Sequence, residues 1–391
     1  MRSGVRGALA VQVQVHRGAR GSRAPRVRRA SRVALALLAL LALAGCSAVD
    51  FYWQGLHGQY EILSGAKPID EVIDGASDPR LKARLALARE IRDFATRELA
   101  LPANDSYRRY TDLGRPYVLY NVFAAPSLSL TPRAWCYPIA GCVNYRGYFT
   151  EADARAEAVK LAAQGDDVYI GGVPAYSTLG WFDDPILSTF VRYPETEFAR
   201  LIFHELAHQL IYVKGDTVFN ESYATAVSDE GLVRWIAVQP QASRAALDAE
   251  RQRSERLRRA FRRIVGAARV KLADIYASDA SPAAKEAEKG AAFAAMRADY
   301  ARVKAGEPGL AGFDRWFAGD AGKGPNNASL AAIALYTARV PAFRALIAEE
   351  HGDMPRFYAR VRELAAMPKD ARDAALDRLA GVAPTGVGVD D

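Results

Sequence analysis

The segment His204-Glu205-Leu206-Ala207-His208 constrains this chain more than any other feature, because it combines an i, i+4 pair of histidines with an intervening acid. Side chains four residues apart on an α-helix lie on the same face. The two imidazoles can therefore bind one zinc ion, and Glu205 can accept a proton from a water that the metal activates. Isolated matches to so short a pattern also arise by chance, so the surrounding helix has to support it.

The sequence predicts a helix around this segment, from about Pro194 to Val213. Proline suits a first helical turn, because its missing N–H would be unpaired there anyway. Glutamates in that turn interact favourably with the helix dipole, and Gly215 can end the run. Apolar residues recur at helical spacing and predict one buried face: Phe198, Leu201, Ile202, Leu206 and Leu210.

Glu221 is the predicted third metal ligand. A turn at residues 214–217 would let a second helix, about residues 218–238, fold back against the first and bring Glu221 opposite the histidines. Two His and one Glu leave an open coordination position, the pattern of catalytic zinc. Alternatively, Glu221 is a first-turn acid favoured by the helix dipole. Asp229 and Glu230 are weaker ligand candidates, either of which could orient a zinc-bound histidine.

The first 45 residues predict an export signal. They contain nine Arg and no acid, followed by an apolar run from Val33 to Ala44 that is too short to span a bilayer. The run ends Leu43-Ala44-Gly45-Cys46, which resembles a bacterial lipobox, a signal that is cut before a cysteine that becomes lipidated. Ser47 at the next position implies the outer membrane, with the protein facing the periplasm. The alternative is a secretory signal without lipidation at Cys46.

Charge gives no argument for a nucleic-acid partner. The whole chain has 52 basic and 45 acidic residues, a formal charge of +7. Without the nine Arg of the signal, 43 basic residues face 45 acidic ones. The basicity therefore belongs to the signal, and we expect no nucleic-acid binding.

Cys136 and Cys142 are the cysteines that remain besides Cys46. An oxidising periplasm favours a disulfide between them. Two buried free thiols are the alternative. They are not predicted to bind zinc, because no further Cys or His lies nearby in the sequence.

The chain is predicted to comprise five segments. These are a signal peptide (1–45), an N-terminal helical segment (46–115), a catalytic core with a small sheet and the zinc helices (116–238), a helical C-terminal lobe (239–380) and a disordered tail (381–391). Short β-branched or aromatic runs predict the strands 117–123, 143–149 and 168–170. The predicted fold class is α+β, mostly α: a small β-sheet lobe, then the zinc-binding helix pair, then the helical lobe.

The two-helix site resembles that of the gluzincin metallopeptidases, the class of thermolysin and the zinc aminopeptidases. Longer stretches resemble a family of bacterial lipoproteins described as aminopeptidases: Leu101–Pro102, Asn121–Pro126, Trp135–Gly147, Ala175–Pro185, the zinc segments and Pro325–Leu330. This resemblance implies a peptide substrate, one zinc ion per chain and a membrane contact through lipid on Cys46.

Two positions depart from better-understood relatives. Many gluzincins carry an Asp four residues after the ligand Glu, where this chain has Thr225. Large zinc aminopeptidases carry an upstream Glu that holds the substrate amine, and residues 171–175 contain no acid here. The resemblance therefore supports zinc chemistry more directly than it supports recognition of a free amine.

Further site residues are predicted from position in the chain. Tyr176, Tyr223 and Tyr336 are candidate oxyanion donors, each with a structural role as the alternative. Asp183 and Asp184 could hold a free α-amine, or could form a turn before a helix beginning at Pro185.

Three functional hypotheses follow from these residues. The first is a zinc aminopeptidase of the bacterial envelope. The second is an envelope zinc endopeptidase. The third is a non-enzymatic envelope lipoprotein with structural zinc, which would require four protein ligands.

Overall fold

The computed structural model describes residues 51–137, 141–319 and 324–381. The predicted signal peptide, Cys46 and the tail after Gly381 lie outside the described residues. The chain divides into two compact units, Met1–Trp53 and Gln54–Asp391. The second unit contains the sheets and the metal-ligand candidates.

The helices of the described residues are α1 (51–64), α2 (Ile69–Gly75), α3 (Pro79–Leu99), α4 (Glu151–Ala163), α5 (Glu195–Leu210), α6 (Thr217–Ala237), α7 (Gln241–Ala277), α8 (Pro282–Gly306), α9 (Asp314–Ala318), α10 (Asn327–Thr337), α11 (Val340–Glu349), α12 (Met354–Ala366) and α13 (Lys369–Leu379). A 3₁₀ turn, Pro308–Phe313, precedes α9. The strands are β1 (Lys67–Pro68), β2 (Arg109–Thr111), β3 (Leu119–Pro126), β4 (Trp135–Tyr137), β5 (Gly141–Val143), β6 (Arg146–Tyr148), β7 (Asp166–Val173) and β8 (Ile186–Leu187).

This order of elements confirms the predicted α+β, mostly helical class. The sheets lie in the N-terminal half, and helices follow from α5 onward. The two predicted zinc helices correspond to α5 and α6, within a few residues at each end. The single strand predicted over 143–149 is wrong, because β5 ends at Val143 and β6 begins at Arg146. The two strands belong to different sheets, which local sequence texture cannot reveal.

The largest sheet places β3 between β6 and β7, with both pairings antiparallel. Asn121 at its centre lies opposite Gly147 on one side and Gly171 on the other. A second sheet has the order β1-β2-β8. The hairpin β4-β5 pairs Cys136 with Cys142, and a disulfide joins them.

The main core forms where α3, α5 and α6 pack together. Gly231 of α6 permits the close approach, because a Cβ there would lie 2.7 Å from Leu99 and 2.8 Å from the Phe203 ring. Phe203 directly precedes His204 in the chain. This close approach therefore lies one residue from His204 along α5, where tight packing restricts movement of α5 against α6.

Helices α10 and α11 complete the packing around α6. Together, Asn327–Glu349 is long and apolar enough to cross a membrane by length and composition, with a mean hydropathy of 1.4. This stretch is 50% buried inside the fold. It contributes Leu335 to one apolar cluster and Phe343 to the main core. We therefore assign it to the protein interior, since core helices commonly have such a composition.

Candidate metal centre

Helix α5 carries both histidines in its last two turns. It begins after Pro194, whose carbonyl accepts a 2.9 Å hydrogen bond from the Phe198 N–H. It ends at Ile211, which takes an extended conformation with φ −142° and ψ 125°. His208 and Glu205 are buried, and His204 is half-buried.

The three predicted ligands lie together in one group. His204 Nε2 is 3.2 Å from Glu221 Oε2 and 3.2 Å from His208 Nε2, and His208 Nε2 is 3.6 Å from Glu221 Oε2. In the described part of the chain, no fourth His, Cys, Asp or Glu joins this group. The donor set therefore leaves a coordination position open for water or a substrate.

These distances fit a tetrahedral metal ion. Zinc binds imidazole nitrogen and carboxylate oxygen at ~2.0–2.2 Å, which places neighbouring ligands of a tetrahedron about 3.3 Å apart. The three measured separations, 3.2, 3.2 and 3.6 Å, bracket that value. In an ordinary hydrogen-bonded cluster, nothing requires all three separations to lie near this tetrahedral value. The residues present therefore fit a bound metal ion of this kind.

The electrostatics of the group also favour a cation. Burial alone would raise the pKa of Glu221, but the two imidazoles, His208 first, lower that pKa to about 2. Burial opposes protonation of both histidines, and it lowers the pKa of His204. The pKa of His208 is nevertheless raised, because Glu221 and Glu205 favour its charged form. The ionised Glu221 carboxylate and the neutral His204 imidazole are thus in the deprotonated forms that bind zinc.

Glu205 lies between the two histidines in sequence and is 7% exposed. Burial raises the pKa of Glu205 to about 8, opposed by His208 and reinforced by the charges of Glu221 and Asp184. A carboxyl group held away from bulk water accepts and releases protons near neutral pH. A nearby divalent cation would add positive charge and favour the ionised form.

Asn220 fixes the turn that leads to Glu221. Its side-chain Oδ1 accepts from the Val213 N–H, and its Nδ2 donates to the Val213 carbonyl, both at 2.8 Å. Both backbone polar groups of Val213 are therefore paired just after α5 ends. Sequence analysis did not select this residue, although an Asn beside a predicted ligand was a usable signal.

Helix α13, in the C-terminal part of the chain, stabilises the same turn. Asp216 begins α6 by accepting from the Phe219 N–H at 3.1 Å. Its other oxygen accepts from Arg372 of α13 at 2.7 Å and 3.1 Å, and both residues are buried. Breaking a buried ion pair costs ~3–5 kcal/mol, because it leaves an unpaired charge. Helix α13 thus helps to position the start of α6, and with it Glu221.

The three candidate oxyanion tyrosines lie in different places. Tyr223 is fully buried in the core against the rings of Phe343 and Phe357. Tyr176 is half-buried, with its ring against Phe149, and burial followed by the charge of Asp184 raises its pKa. Neither set of neighbours includes a metal-ligand candidate.

Of the three candidates, Tyr336 of α10 is the one whose pKa is raised by the charges of Glu221 and Glu205. The charge of Glu221 is the largest of the causes that raise its pKa well above the ordinary value, followed by burial, Tyr145 and Glu205. The residue is nevertheless 36% exposed, so part of its ring reaches solvent.

Tyr145 is a fourth tyrosine whose pKa is affected by Glu221 and Glu205, and sequence analysis missed it. Its pKa is raised first by burial and then by the charges of Glu221, Tyr212 and Glu205. It follows β5, in the stretch that was predicted to continue as one strand. No short motif identifies it, because 18 tyrosines are present and the fold alone selects among them.

Asp183 and Asp184 differ sharply in environment. Asp183 is exposed, whereas Asp184 is 4% exposed. The Asp184 carboxylate accepts from the Thr178 N–H at 3.0 Å, the Thr178 hydroxyl at 2.7 Å and Gln209 Nε2 at 3.1 Å. Burial, opposed by these hydrogen bonds, raises its pKa to about 6. Asp184 thus ties the 177–184 loop to the residue that follows His208, and no helix begins at Pro185, because residues 186–187 form β8.

The remaining candidates lie away from the metal group. Asp229 pairs with Arg200 at 2.7 Å and with Arg344 at 2.6 Å, and Glu230 pairs with Arg234 at 2.8 Å. Arginines engage both carboxylates, and within the described residues neither acid is hydrogen-bonded to His204 or His208. His57 and His351, which were not expected to be ligands, are exposed.

The fold and the site define a protein with an HExxH-type candidate metal centre built on two packed helices. A model of the family described as "Putative aminopeptidase" matches residues 50–376, and the chain belongs to that family. Membership of a peptidase family implies a peptide substrate. No curated protein and no solved structure shows significant similarity to the chain.

Proposed function

We propose that this protein is a zinc metallopeptidase anchored in the bacterial cell envelope, and that it acts as an aminopeptidase. The observation that carries the proposal is the triangle of His204, His208 and Glu221 with tetrahedral spacing, beside the buried carboxylate of Glu205. A structural zinc site would fill its fourth position with a protein atom. The group of three donors therefore favours catalysis over a purely structural role.

The chain supplies the groups that peptide hydrolysis requires. A zinc ion held by His204, His208 and Glu221 would act as a Lewis acid and lower the pKa of water. The Glu205 carboxylate accepts a proton from the attacking water and then passes it to the leaving amine. The Tyr336 hydroxyl donates a hydrogen bond to the carbonyl oxygen of the scissile bond as negative charge develops there.

The role of Tyr336 can be tested against a matched tyrosine. We expect Tyr336→Phe to lower kcat by roughly 10²–10³-fold, because loss of one oxyanion donor removes stabilisation present in the transition state. Tyr223→Phe is the control, since the Tyr223 hydroxyl is buried in the core and makes no hydrogen bond to the described part of the chain. Steady-state kinetics of both variants would measure the difference. Equal kcat values for wild type and Tyr336→Phe would exclude this tyrosine as the donor.

An endopeptidase is the second candidate function, and the environment of Asp184 favours it. An aminopeptidase needs a negative group for the free α-amine, and the carboxylate of Asp184 is already engaged by Thr178 and Gln209. Asp183 is exposed and remains the acid available in this loop. Recognition of the amine therefore rests on Asp183 under the aminopeptidase proposal.

Free and acetylated peptides distinguish these two functions. For an aminopeptidase, we expect cleavage of free peptides and a large loss of kcat/KM on acetylation, because the blocked end carries no charge. Asp183→Asn should raise KM for free peptides without changing zinc content. Asp184→Asn, by contrast, should lower the melting temperature, because it disrupts the loop. Equal cleavage of free and acetylated peptides would establish the endopeptidase instead.

The anchor is a separate part of the proposal. Cys46 follows an Arg-rich, apolar leader, and we expect it to be the acylated N-terminus of the mature protein. Several acyl chains on one residue suffice for stable membrane attachment. An intact mass spectrum of the purified membrane fraction would measure this directly. An unmodified Cys46, or cleavage at another position, would contradict the lipid anchor and leave the zinc chemistry untouched.

A further inference from the structure

Helix α1 is fixed to the sheet through one face. The Phe149 N–H donates to Gln54 Oε1 at 2.9 Å, and Gln54 Nε2 donates to the Gly147 carbonyl at 3.3 Å. One turn later, Gly58 is buried so closely that a Cβ would lie 2.2 Å from the Phe149 ring. Ile62, one further turn along, is 2% exposed. Positions 54, 58 and 62 therefore form a docked inner face with helical spacing.

The opposite side of the helix presents large apolar side chains to solvent. Leu56 and Tyr60, four residues apart on the same face, are 67% and 70% exposed. Leu56 and Tyr60 are called the outer face of α1 below. Exposed large apolar groups concentrated on one face mark an interaction surface more often than scattered ones do.

The position of Cys46 limits what can meet this surface. Only residues 47–50 separate Cys46 from Phe51, the first described residue of α1. Fully extended, the chain from Cys46 to residue 51 spans about 18 Å. With lipid on Cys46, Phe51 must lie within that distance of the bilayer. The lipid anchor alone therefore keeps the outer face close to the lipid headgroups, even if this face has no affinity of its own for them.

We propose that the outer face of α1 inserts into the headgroup region of a phospholipid membrane and orients the catalytic unit on it. This proposal rests on the lipid anchor and does not depend on peptidase activity. Tyrosine favours the membrane interface, because its ring is apolar at one end and polar at the other. Leucine adds apolar surface that lipid tails can cover. Because the inner face is docked, insertion of the outer face fixes the whole unit relative to the membrane.

The test uses the full lipidated protein in vesicles of phosphatidylethanolamine and phosphatidylglycerol. Leu56→Cys and Tyr60→Cys variants are each labelled with an environment-sensitive fluorophore. Val270→Cys is the matched control, since Val270 is 65% exposed on α7. We expect lipid-borne quenchers to reduce emission at 56 and 60 by about twofold or more relative to position 270, because an interfacial residue lies within the headgroup layer.

Several outcomes would overturn the proposal. Equal quenching at 56, 60 and 270 would mean that the helix does not touch lipid. A blue shift at 56 and 60 without lipid quenching, together with a dimer mass in solution, would assign the surface to a second copy of the chain. Protein whose mass shows no acyl group, and whose label is not quenched, would also refute it. The peptidase proposal would survive each of these results, since none involves the metal centre.

Discussion

Replacing Glu205 with glutamine is expected to lower kcat for peptide hydrolysis by roughly 10²–10⁴-fold while leaving zinc bound. The amide has nearly the same shape as the carboxyl group but cannot accept a proton from water. Glu205 is 7% exposed, and its environment raises the pKa to about 8 in the metal-free site. It is not one of the three donors of the metal group, so metal content should not change.

Glu197→Gln is a suitable control for this experiment. Glu197 lies two turns earlier on α5, where it pairs with Arg258 at 2.8 Å. Removing that charge should change stability slightly and kcat very little, because half-exposed ion pairs contribute ~0–1 kcal/mol. Zinc analysis and single-turnover kinetics would be measured on both variants.

Two results would contradict the assigned role of Glu205. Unchanged kcat in Glu205→Gln, with zinc retained, would remove this residue from the mechanism. Loss of zinc together with activity would instead assign Glu205 to metal binding. Only retained zinc with lost turnover agrees with a general base.

The metal group was accessible to sequence analysis because most of its geometry is local. His204 and His208 lie on one face of any helix that contains them, and the apolar periodicity of α5 predicts that helix. Glu221 required one further step, a turn that folds α6 back onto α5. The apolar run of α6 and the glycine in the turn were sufficient for that step.

The groups that hold this geometry were not accessible in the same way. The Asp216–Arg372 pair joins residues 156 positions apart, and nothing near either residue in sequence indicates the other. Asp184 illustrates the same point, since its engagement by Gln209 is visible only in the fold. Spacing rules describe one helix or one turn, whereas these contacts depend on how distant elements pack.

The tyrosines show where local sequence patterns stop being informative and the packing of distant elements decides. Tyr176, Tyr223 and Tyr336 were equal candidates in the sequence, yet the fold buries Tyr223 in the core and subjects Tyr336 to the charge of Glu221. It also adds Tyr145, which follows β5. Sequence spacing does not distinguish a catalytic tyrosine from a structural one, because tyrosine also packs well in protein cores.

Replacing His208 with alanine is expected to reduce zinc from about one ion per chain to less than about a tenth, with His204→Ala giving the same result. His57→Ala is the control, because His57 is exposed on α1 and lies outside the metal group. Elemental analysis after gel filtration would measure the metal content of all three variants.

Thermal unfolding supplies a second readout that does not require activity. A ligand present at 1,000 times its Kd stabilises the folded state by about 4 kcal/mol. A chelator should therefore lower the melting temperature of the wild type and of His57→Ala. It should not affect His208→Ala, because that variant has no metal to lose. Full zinc occupancy in the His204→Ala/His208→Ala double variant would exclude this site, since Glu221 alone cannot hold the ion.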